Sequence, residues 1–271
     1  MASSNKIAYH TRSISLPTRS SPLSFTLEEQ LCRLRSSQLA TSSSSSISHN
    51  LAGLKDLYES VEDFLSTQNG KCLDTVVLDG SIMLLDVCGT TRDILSQMKQ
   101  SVQDLQSSIR RRRGADLDLA NELNEYMTSR KKVTKVIRKC LGGLKKIQNK
   151  NSDNVSILKE VEATTLAVFE SLLSFLSGPR SKQSSWSLVS KLMPNKRVAC
   201  SGETNVVEKA DIALNILIGH KQNKTVVGDV KNAQNLFEAL EMSIQDLEEG
   251  VECVFRGLVK TRVSLLNILN Q

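Results

Sequence analysis

The stretch that decides the fold is VKNAQNLFEALEMSIQDLEEGVECVFRGLVKTRVSLLNI, residues 230–268. Eleven apolar residues and one threonine recur in it at alternating intervals of three and four. They are Val230, Ala233, Phe237, Leu240, Ile244, Leu247, Val251, Val254, Leu258, Thr261, Leu265 and Ile268. A mean interval of 3.5 residues places these side chains on one side of an α-helix. The pattern predicts a helix at about 229–269, roughly 60 Å long.

Two glycines and an unusually wide apolar face indicate how this predicted helix packs. Gly250 and Gly257 lie inside it, where each costs about 1 kcal/mol relative to alanine. They indicate either a kink or close approach to a neighbouring helix. Further apolar residues widen the face, namely Leu236, Phe255, Val259, Val263 and Leu266. A wide face favours burial in a bundle over an isolated dimeric coiled coil, and therefore favours a monomer.

The same periodicity recurs through most of the chain. It predicts helices at about 24–39, from Ile47 to the Asn69-Gly70 pair, and at about 74–112, 116–148, 153–177 and 205–219. The serine run 42–46 is expected to break the first helix. Residues 1–23 are basic and serine-rich and are predicted to be a disordered tail. Residues 24–271 then form one all-α domain, an elongated antiparallel helical bundle with a long C-terminal helix and a flexible linker at about 178–204.

The net charge of +6 is unevenly distributed along the chain. Residues 110–150 carry thirteen basic and four acidic residues, whereas the segments 51–109 and 229–271 are both acidic. One interpretation is that the basic segment packs on the acidic ones. The other is that it forms a surface for anionic lipid or nucleic acid.

The strongest charge run is Arg110, Arg111, Arg112 and Arg113, which Gly114 follows. Cations at a helix C-terminus are favourable in themselves, and this is the simplest interpretation. The alternatives are a nuclear localisation signal or a basic contact patch that continues on the following helix with Arg130, Lys131, Lys132, Lys135, Arg138 and Lys139. Such a patch fits an anionic membrane surface. No aromatic residues are interleaved for base stacking, which argues against single-stranded nucleic acid.

A short motif in the N-terminal tail indicates regulation. Arg12 precedes Ser15 by three residues, Ser13 lies between them, and Pro17 follows Ser15 by two. The arrangement resembles the phosphoserine sites that 14-3-3 adaptors bind, where a phosphate on Ser15 would meet an arginine-lined pocket. The alternative is a solvated tail without this role.

No catalytic or cofactor motif is present in the sequence. There is no Walker A loop, no GxSxG, no HExxH and no metal-ligand spacing among the six cysteines and three histidines. Gly142-Gly143 lies in a helical pattern and is expected to permit close helix packing. The chain is therefore predicted to be no enzyme and to bind no cofactor. Without a signal peptide or an apolar run of eighteen residues, it is predicted to be cytoplasmic, with a nuclear or organellar location as the alternative.

Several blocks of the sequence together resemble a known plant family. They occur in order across nearly the whole chain, at 10–17 (HTRSISLP), 29–37 (EQLCRLRSS), the serine run through 47–49, 84–90 (LLDVCGT), 110–114, 129–133 (SRKKV) and 258–269 (LVKTRVSLLNIL). They resemble the plant-specific domain of unknown function 241 family, grouped with the BYPASS-related proteins. The resemblance implies a role in root and shoot development and brings no catalytic residue with it.

Two functions follow as hypotheses. The first is a non-enzymatic helical adaptor in plant development, regulated through the phosphorylatable tail. The second is a peripheral membrane or trafficking tether that uses the basic helices at 110–146. A nucleic-acid-binding role ranks behind both.

Overall fold

A computed structural model describes residues 22–38, 43–67, 75–111, 120–148, 156–178, 205–219 and 227–270. Within these ranges the chain forms seven α-helices and no strand. The helices are α1 (Pro22–Gln38), α2 (Ser44–Ser66), α3 (Thr75–Arg111), α4 (Ala120–Gln148), α5 (Ile157–Ser177), α6 (Val206–Gly219) and α7 (Val227–Leu269). The all-α prediction is confirmed. None of the described helices combines the length and apolar character that a membrane span requires.

The predicted apolar stripe of α7 is buried along most of its length. Its residues from Ala233 to Leu265 are each at most 7% exposed, and Val230 and Ile268 at its two ends are half-buried. α7 packs against α2, α3 and α6. The stripe thus predicts both the helix and the side on which three neighbours contact it.

α3 and α7 run antiparallel and are joined by polar contacts along their edges. Lys99 Nζ lies 2.8 Å from the Glu248 carboxylate, and Arg110, eleven residues further along α3, lies 3.2 Å from Glu238. Residue numbers rise along α3 as they fall along α7, which establishes the direction. This pair therefore has the predicted antiparallel arrangement.

α2 and α7, in contrast, run parallel. Leu51 lies beside Gly250, and Tyr58 lies beside Gly257. A Cβ added at Gly250 would lie 3.0 Å from the Leu51 side chain, and one added at Gly257 would lie 2.8 Å from the Tyr58 Cβ. Of the two predicted roles for these glycines, close approach to a neighbour is the one observed. The parallel direction is possible because the two helices are far apart in the chain.

α1, α4, α5 and α6 complete the bundle. α5 packs against α1, α2, α3 and α4, and α4 lies on the outside against α3 and α5. The Tyr58 hydroxyl of α2 shares a hydrogen bond of 3.0 Å with the Thr165 hydroxyl of α5. α6 starts where α5 ends, because Asn205 Nδ2 donates to the Phe175 carbonyl at 3.2 Å. α6 packs against α7 and also contacts α4, so α5 and α6 together contact all the other described helices.

The starts of α2 and α1 lie earlier than predicted. Ser43 caps α2, its hydroxyl accepting the Ser46 N–H at 3.1 Å, so the described part of the serine run starts the second helix. Pro22 and Leu23, assigned to the tail, belong to α1. Proline is well suited to a first helical position because it needs no N–H partner there. The predicted disorder of 1–21 and linker at 179–204 lie outside the described residues.

The predicted widening of the α7 face is wrong for three residues. Val259, Val263 and Leu266 are 40%, 51% and 37% exposed, whereas Leu236 and Phe255 are half-buried. Neighbouring helices cover one side of α7, and these three residues lie on its uncovered side. The buried face is therefore narrower than the apolar pattern indicated.

Candidate functional site

Burial changes the acidity of two thiols and two phenols of the bundle. Burial raises the pKa of the Cys88 thiol to about 12 and that of Cys140 above its usual range. Burial likewise raises the pKa of the Tyr58 and Tyr126 phenols. Groups shifted in this direction stay protonated at neutral pH and are weak nucleophiles. Among the described residues, no group of three or more His, Cys, Asp or Glu is placed to hold a metal ion.

An open groove between α3 and α7 is lined by charged side chains of both helices. Arg92 lies 2.9 Å from the Glu252 carboxylate, and its guanidinium carbon lies 4.5 Å from the centre of the Phe255 ring. The cation is thus held by an ion pair and by a cation–π contact. This groove is best explained as the polar margin of a helix–helix contact.

Arg130, predicted as part of the basic contact patch, is buried. Its Nε and Nη2 donate to the two carboxylate oxygens of Asp211 on α6, each at 3.4 Å. A Cβ added at Gly178, which ends α5, would lie 3.1 Å from the same Nη2. Arg130 therefore connects α4, α5 and α6. A buried guanidinium requires a nearby counter-charge, which Asp211 supplies. Arg130 is therefore not part of an exposed basic patch.

The arginine run at the end of α3 is partly engaged with α7. Arg110 donates to Gln106 at 3.1 Å and to Glu238 at 3.2 Å, and Arg111 donates to Ser108 at 3.2 Å. Both arginines remain exposed. Arg112 and Arg113 lie outside the described residues. The expectation that basic and acidic segments pack on each other thus holds for Arg110.

The exposed side of α4 carries a dense group of cations. Residues 131–148 contain seven cations and no carboxylate: Lys131, Lys132, Lys135, Arg138, Lys139, Lys145 and Lys146. All seven are exposed, and none makes an ion pair with any residue that the structure describes. We call these seven residues the α4 cationic face. It retains the predicted Lys131, Lys132, Lys135, Arg138 and Lys139 and adds Lys145 and Lys146.

The expectation that Gly142-Gly143 permits close helix packing is wrong. Both glycines are exposed, and a Cβ added at either would have no described atom within 4 Å. They lie on the outer side of α4, among the cations of the α4 cationic face. None of the described helices approaches them.

A family model described as Protein BPS1 matches residues 50–268, from within α2 almost to the end of α7. This chain belongs to the BPS1 family. These are the BYPASS-related plant proteins, also known as the domain of unknown function 241 family, which the sequence resembles. Membership suggests a plant developmental protein and assigns it no biochemical activity. Comparisons with curated proteins and with solved structures returned no match.

The family match includes the α4 cationic face and the contact between Arg130 and Asp211, but not the tail motif. In this BPS1-family chain, the residues of that motif, Arg12, Ser13, Ser15 and Pro17, lie outside the described residues.

Two residues at the junction of α5 and α6 were missed in the sequence. Asp211 supplies the counter-charge of Arg130, and no local pattern distinguishes it from other acidic residues. Asn205 caps α6 by accepting the Glu208 N–H at 2.9 Å. An asparagine three residues before a glutamate is a recognisable helix start, so this signal was present.

Proposed function

We propose that this BPS1-family protein is a non-enzymatic helical adaptor in plant root and shoot development. The observation that carries the proposal is the contrast between two kinds of surface. Between α3 and α7, Arg92, Lys99 and Arg110 are paired with carboxylates across the helix interface. The α4 cationic face is exposed and has no ion pairs within the described chain. Because these seven charges pair with no carboxylate of the described helices, they are available to an external partner.

The chemistry of the described interior supports a non-enzymatic role. Cys88 and the phenols of Tyr58 and Tyr126 are stabilised in their protonated forms by burial. Activated nucleophiles and general bases in enzymes show the opposite tuning, with pKa values near or below the working pH.

Proximity labelling in root tissue tests the adaptor role. A promiscuous biotin ligase fused to the full chain should label a reproducible set of proteins that a free ligase does not label. A labelled set indistinguishable from that of the free ligase would contradict the proposal.

The tail motif is proposed as a phosphoserine switch that recruits 14-3-3 adaptors. Ser15 precedes the first residue of α1 by seven positions, and Arg12 and Pro17 flank it at the spacing that these adaptors recognise. Immobilised 14-3-3 protein should retain the full chain from plant extract and release it after phosphatase treatment. A Ser15→Ala variant should not be retained, whereas Ser20→Ala should behave as wild type. Retention of Ser15→Ala would reject the motif.

A second candidate function is a peripheral membrane tether, and the exposure of Lys131 and Lys132 favours it. Cytoplasmic localisation is proposed for both candidates. A fluorescent fusion distinguishes them, because diffuse fluorescence favours the adaptor and membrane-associated puncta favour the tether.

A further inference from the structure

We propose that the α4 cationic face docks on the surface of a membrane containing anionic phospholipids, with the headgroup phosphates against Lys132, Lys135, Lys139 and Lys146. This inference rests on the second candidate function, the tether, and assigns its contact site. It narrows the site from the basic helices at 110–146 to the outer side of α4.

The four lysines form one line along the helix. Their intervals of three, four and seven residues keep them on the same side of an α-helix. From Lys132 to Lys146 the line is roughly 21 Å long. A second line, at intervals of seven, consists of Lys131, Arg138 and Lys145 and runs beside the first. Two adjacent rows of cations therefore extend over the C-terminal half of α4.

The buried residues of α4 show which way the row of four lysines points. Val133, Ile137 and Leu144 are at most 1% exposed and pack into the core. On an α-helix, Lys135, Lys139 and Lys146 lie about opposite to those three residues. The lysine row is thus the outermost part of α4 and is accessible to a flat surface.

Stabilisation of the helix itself does not account for seven cations. The helix dipole favours cations only within the last turn, which contains Lys145 and Lys146. The acidic residues of α4, Glu122 and Glu125, lie in its first turns. Among the residues that the structure describes, Lys131 to Lys139 therefore have neither a dipole nor an ion pair to offset their mutual repulsion. An anionic surface from outside the chain would supply that counter-charge.

The residues between the cations favour a membrane over nucleic acid. Val136, Gly142 and Gly143 lie on the exposed side, and none of them offers a hydrogen bond to a base edge or an aromatic ring for stacking. Six of the seven cations are lysines, which act as mobile point charges and do not require a fixed partner geometry. Clusters of four to eight lysines and arginines on a helix are typical of proteins that bind anionic lipid headgroups.

Co-sedimentation of the purified full chain with lipid vesicles tests the site. Wild type should bind vesicles of phosphatidylcholine with phosphatidylserine at low salt and should not bind pure phosphatidylcholine. The combined variant Lys132→Gln, Lys135→Gln, Lys139→Gln and Lys146→Gln should lose at least about 100-fold in partitioning, since each lysine near an anionic surface contributes about fivefold. All four side chains are exposed and glutamine favours helix, so the fold is expected to persist. The circular dichroism spectrum checks this.

A matched control removes the same number of charges elsewhere. Lys55, Lys209, Lys231 and Lys260 are exposed on α2, α6 and α7, and their combined replacement by glutamine should leave binding close to wild type. An equal loss in both variants would show that only overall charge matters and would overturn the site. Unchanged binding of the α4 variant, or no binding of wild type to anionic vesicles, would also overturn it. So would tighter α4-dependent binding to duplex DNA than to anionic vesicles at the same salt concentration.

The site and the tether function can fail separately. Vesicle binding that depends on α4, together with a fluorescent fusion that stays diffuse in cells, would support the site and reject the tether. A membrane-associated fusion whose vesicle binding does not depend on α4 would reject the site and leave the tether.

Discussion

Gly257 of α7 faces the Cβ atom of Tyr58 of α2, and a Cβ added to the glycine would lie 2.8 Å from that atom. The Tyr58 phenol is buried, and its hydroxyl shares a hydrogen bond with Thr165 of α5. Three helices therefore meet at this tyrosine. Because the glycine has no side chain, α7 can approach α2 closely while Tyr58 keeps its contact with α5.

Gly257→Ala is expected to lower the free energy of unfolding by about 1–3 kcal/mol, because the added methyl group must displace the Tyr58 side chain from a packed interface. Alanine by itself favours a helix by about 1 kcal/mol over glycine, so a decrease in the free energy of unfolding would show that the clash with Tyr58 outweighs this gain. Urea denaturation followed by circular dichroism measures the change.

Gly143→Ala provides the control for that experiment. Gly143 is also inside a helix, but it is exposed and has no described atom within 4 Å of an added Cβ. The same substitution there should raise the free energy of unfolding by about 0.5–1 kcal/mol. Equal stabilisation of the protein by Gly257→Ala and Gly143→Ala would contradict the close approach of α2 and α7.

Arg130→Met is expected to lower the free energy of unfolding by about 1–3 kcal/mol, because it leaves the Asp211 carboxylate without its partner at the junction of α4 and α6. The Asp211 side chain is 30% exposed, so water recovers part of the loss. A double-mutant cycle with Asp211→Asn should give a coupling of at least about 0.5 kcal/mol. Additive effects would contradict a direct interaction.

The exposed pair of Arg33 and Glu29 on α1 is the matched control. Its side chains are 77% and 53% exposed, so Arg33→Gln should change stability by no more than about 0.5 kcal/mol. A cost similar to that of Arg130→Met would indicate that burial does not distinguish the two arginines.

Cys88 should be protected from alkylation in the folded protein. Its thiol is buried, and burial raises its pKa to about 12, whereas Cys32 and Cys253 are exposed. A brief iodoacetamide pulse at pH 8 should modify Cys32 and Cys253 and leave Cys88 intact, as peptide mass spectrometry can determine. Modification of all three at similar rates would contradict the buried position.

The same raised pKa makes stability depend on alkaline pH. The folded state favours the neutral thiol, so its contribution is complete below the unfolded pKa of about 8.5 and is lost as pH rises toward 12. The free energy of unfolding should therefore fall above pH 9, and more steeply in wild type than in Cys88→Ala. Equal slopes would exclude Cys88 as a source of this dependence.

The helices themselves could be predicted because their information is local. Val133, Ile137 and Leu144 of α4 show the burial period in the sequence, and the structure places them in the core. Burial of Arg130 was also visible, since it occupies the same stripe between Tyr126 and Val133. Its counter-charge was not visible, because Asp211 is 81 positions away and only the packing of α6 brings it near.

Which side of a helix has a neighbour was the information that the sequence lacked. Gly142-Gly143 and Gly250 both lie within helical patterns, yet only Gly250 contacts another helix, at Leu51. For the same reason the apolar pattern includes Val263 in the widened face of α7, although no described helix covers that side. The charges of the α4 cationic face could be counted from the sequence. Their exposure, and the lack of an ion pair within the described chain, could be seen only from the positions of the other helices.

Asn205 allows a test of the junction between α5 and α6, because its side chain contacts both helices. Its Oδ1 accepts the Glu208 N–H at 2.9 Å, and its Nδ2 donates to the Phe175 carbonyl at 3.2 Å. Asn205→Ala should cost about 1–2 kcal/mol, the ordinary effect of losing a helix N-cap. In Asn205→Ala, hydrogen exchange should become faster in α6 than in α7.

Asn205→Asp keeps the cap acceptor and loses the donor to α5, so it should destabilise α6 less than Asn205→Ala does. Ser43→Ala, which removes the cap of α2, should leave the exchange of α6 unchanged. Uniformly faster exchange across all helices in Asn205→Ala would mean that α6 unfolds only with the whole bundle.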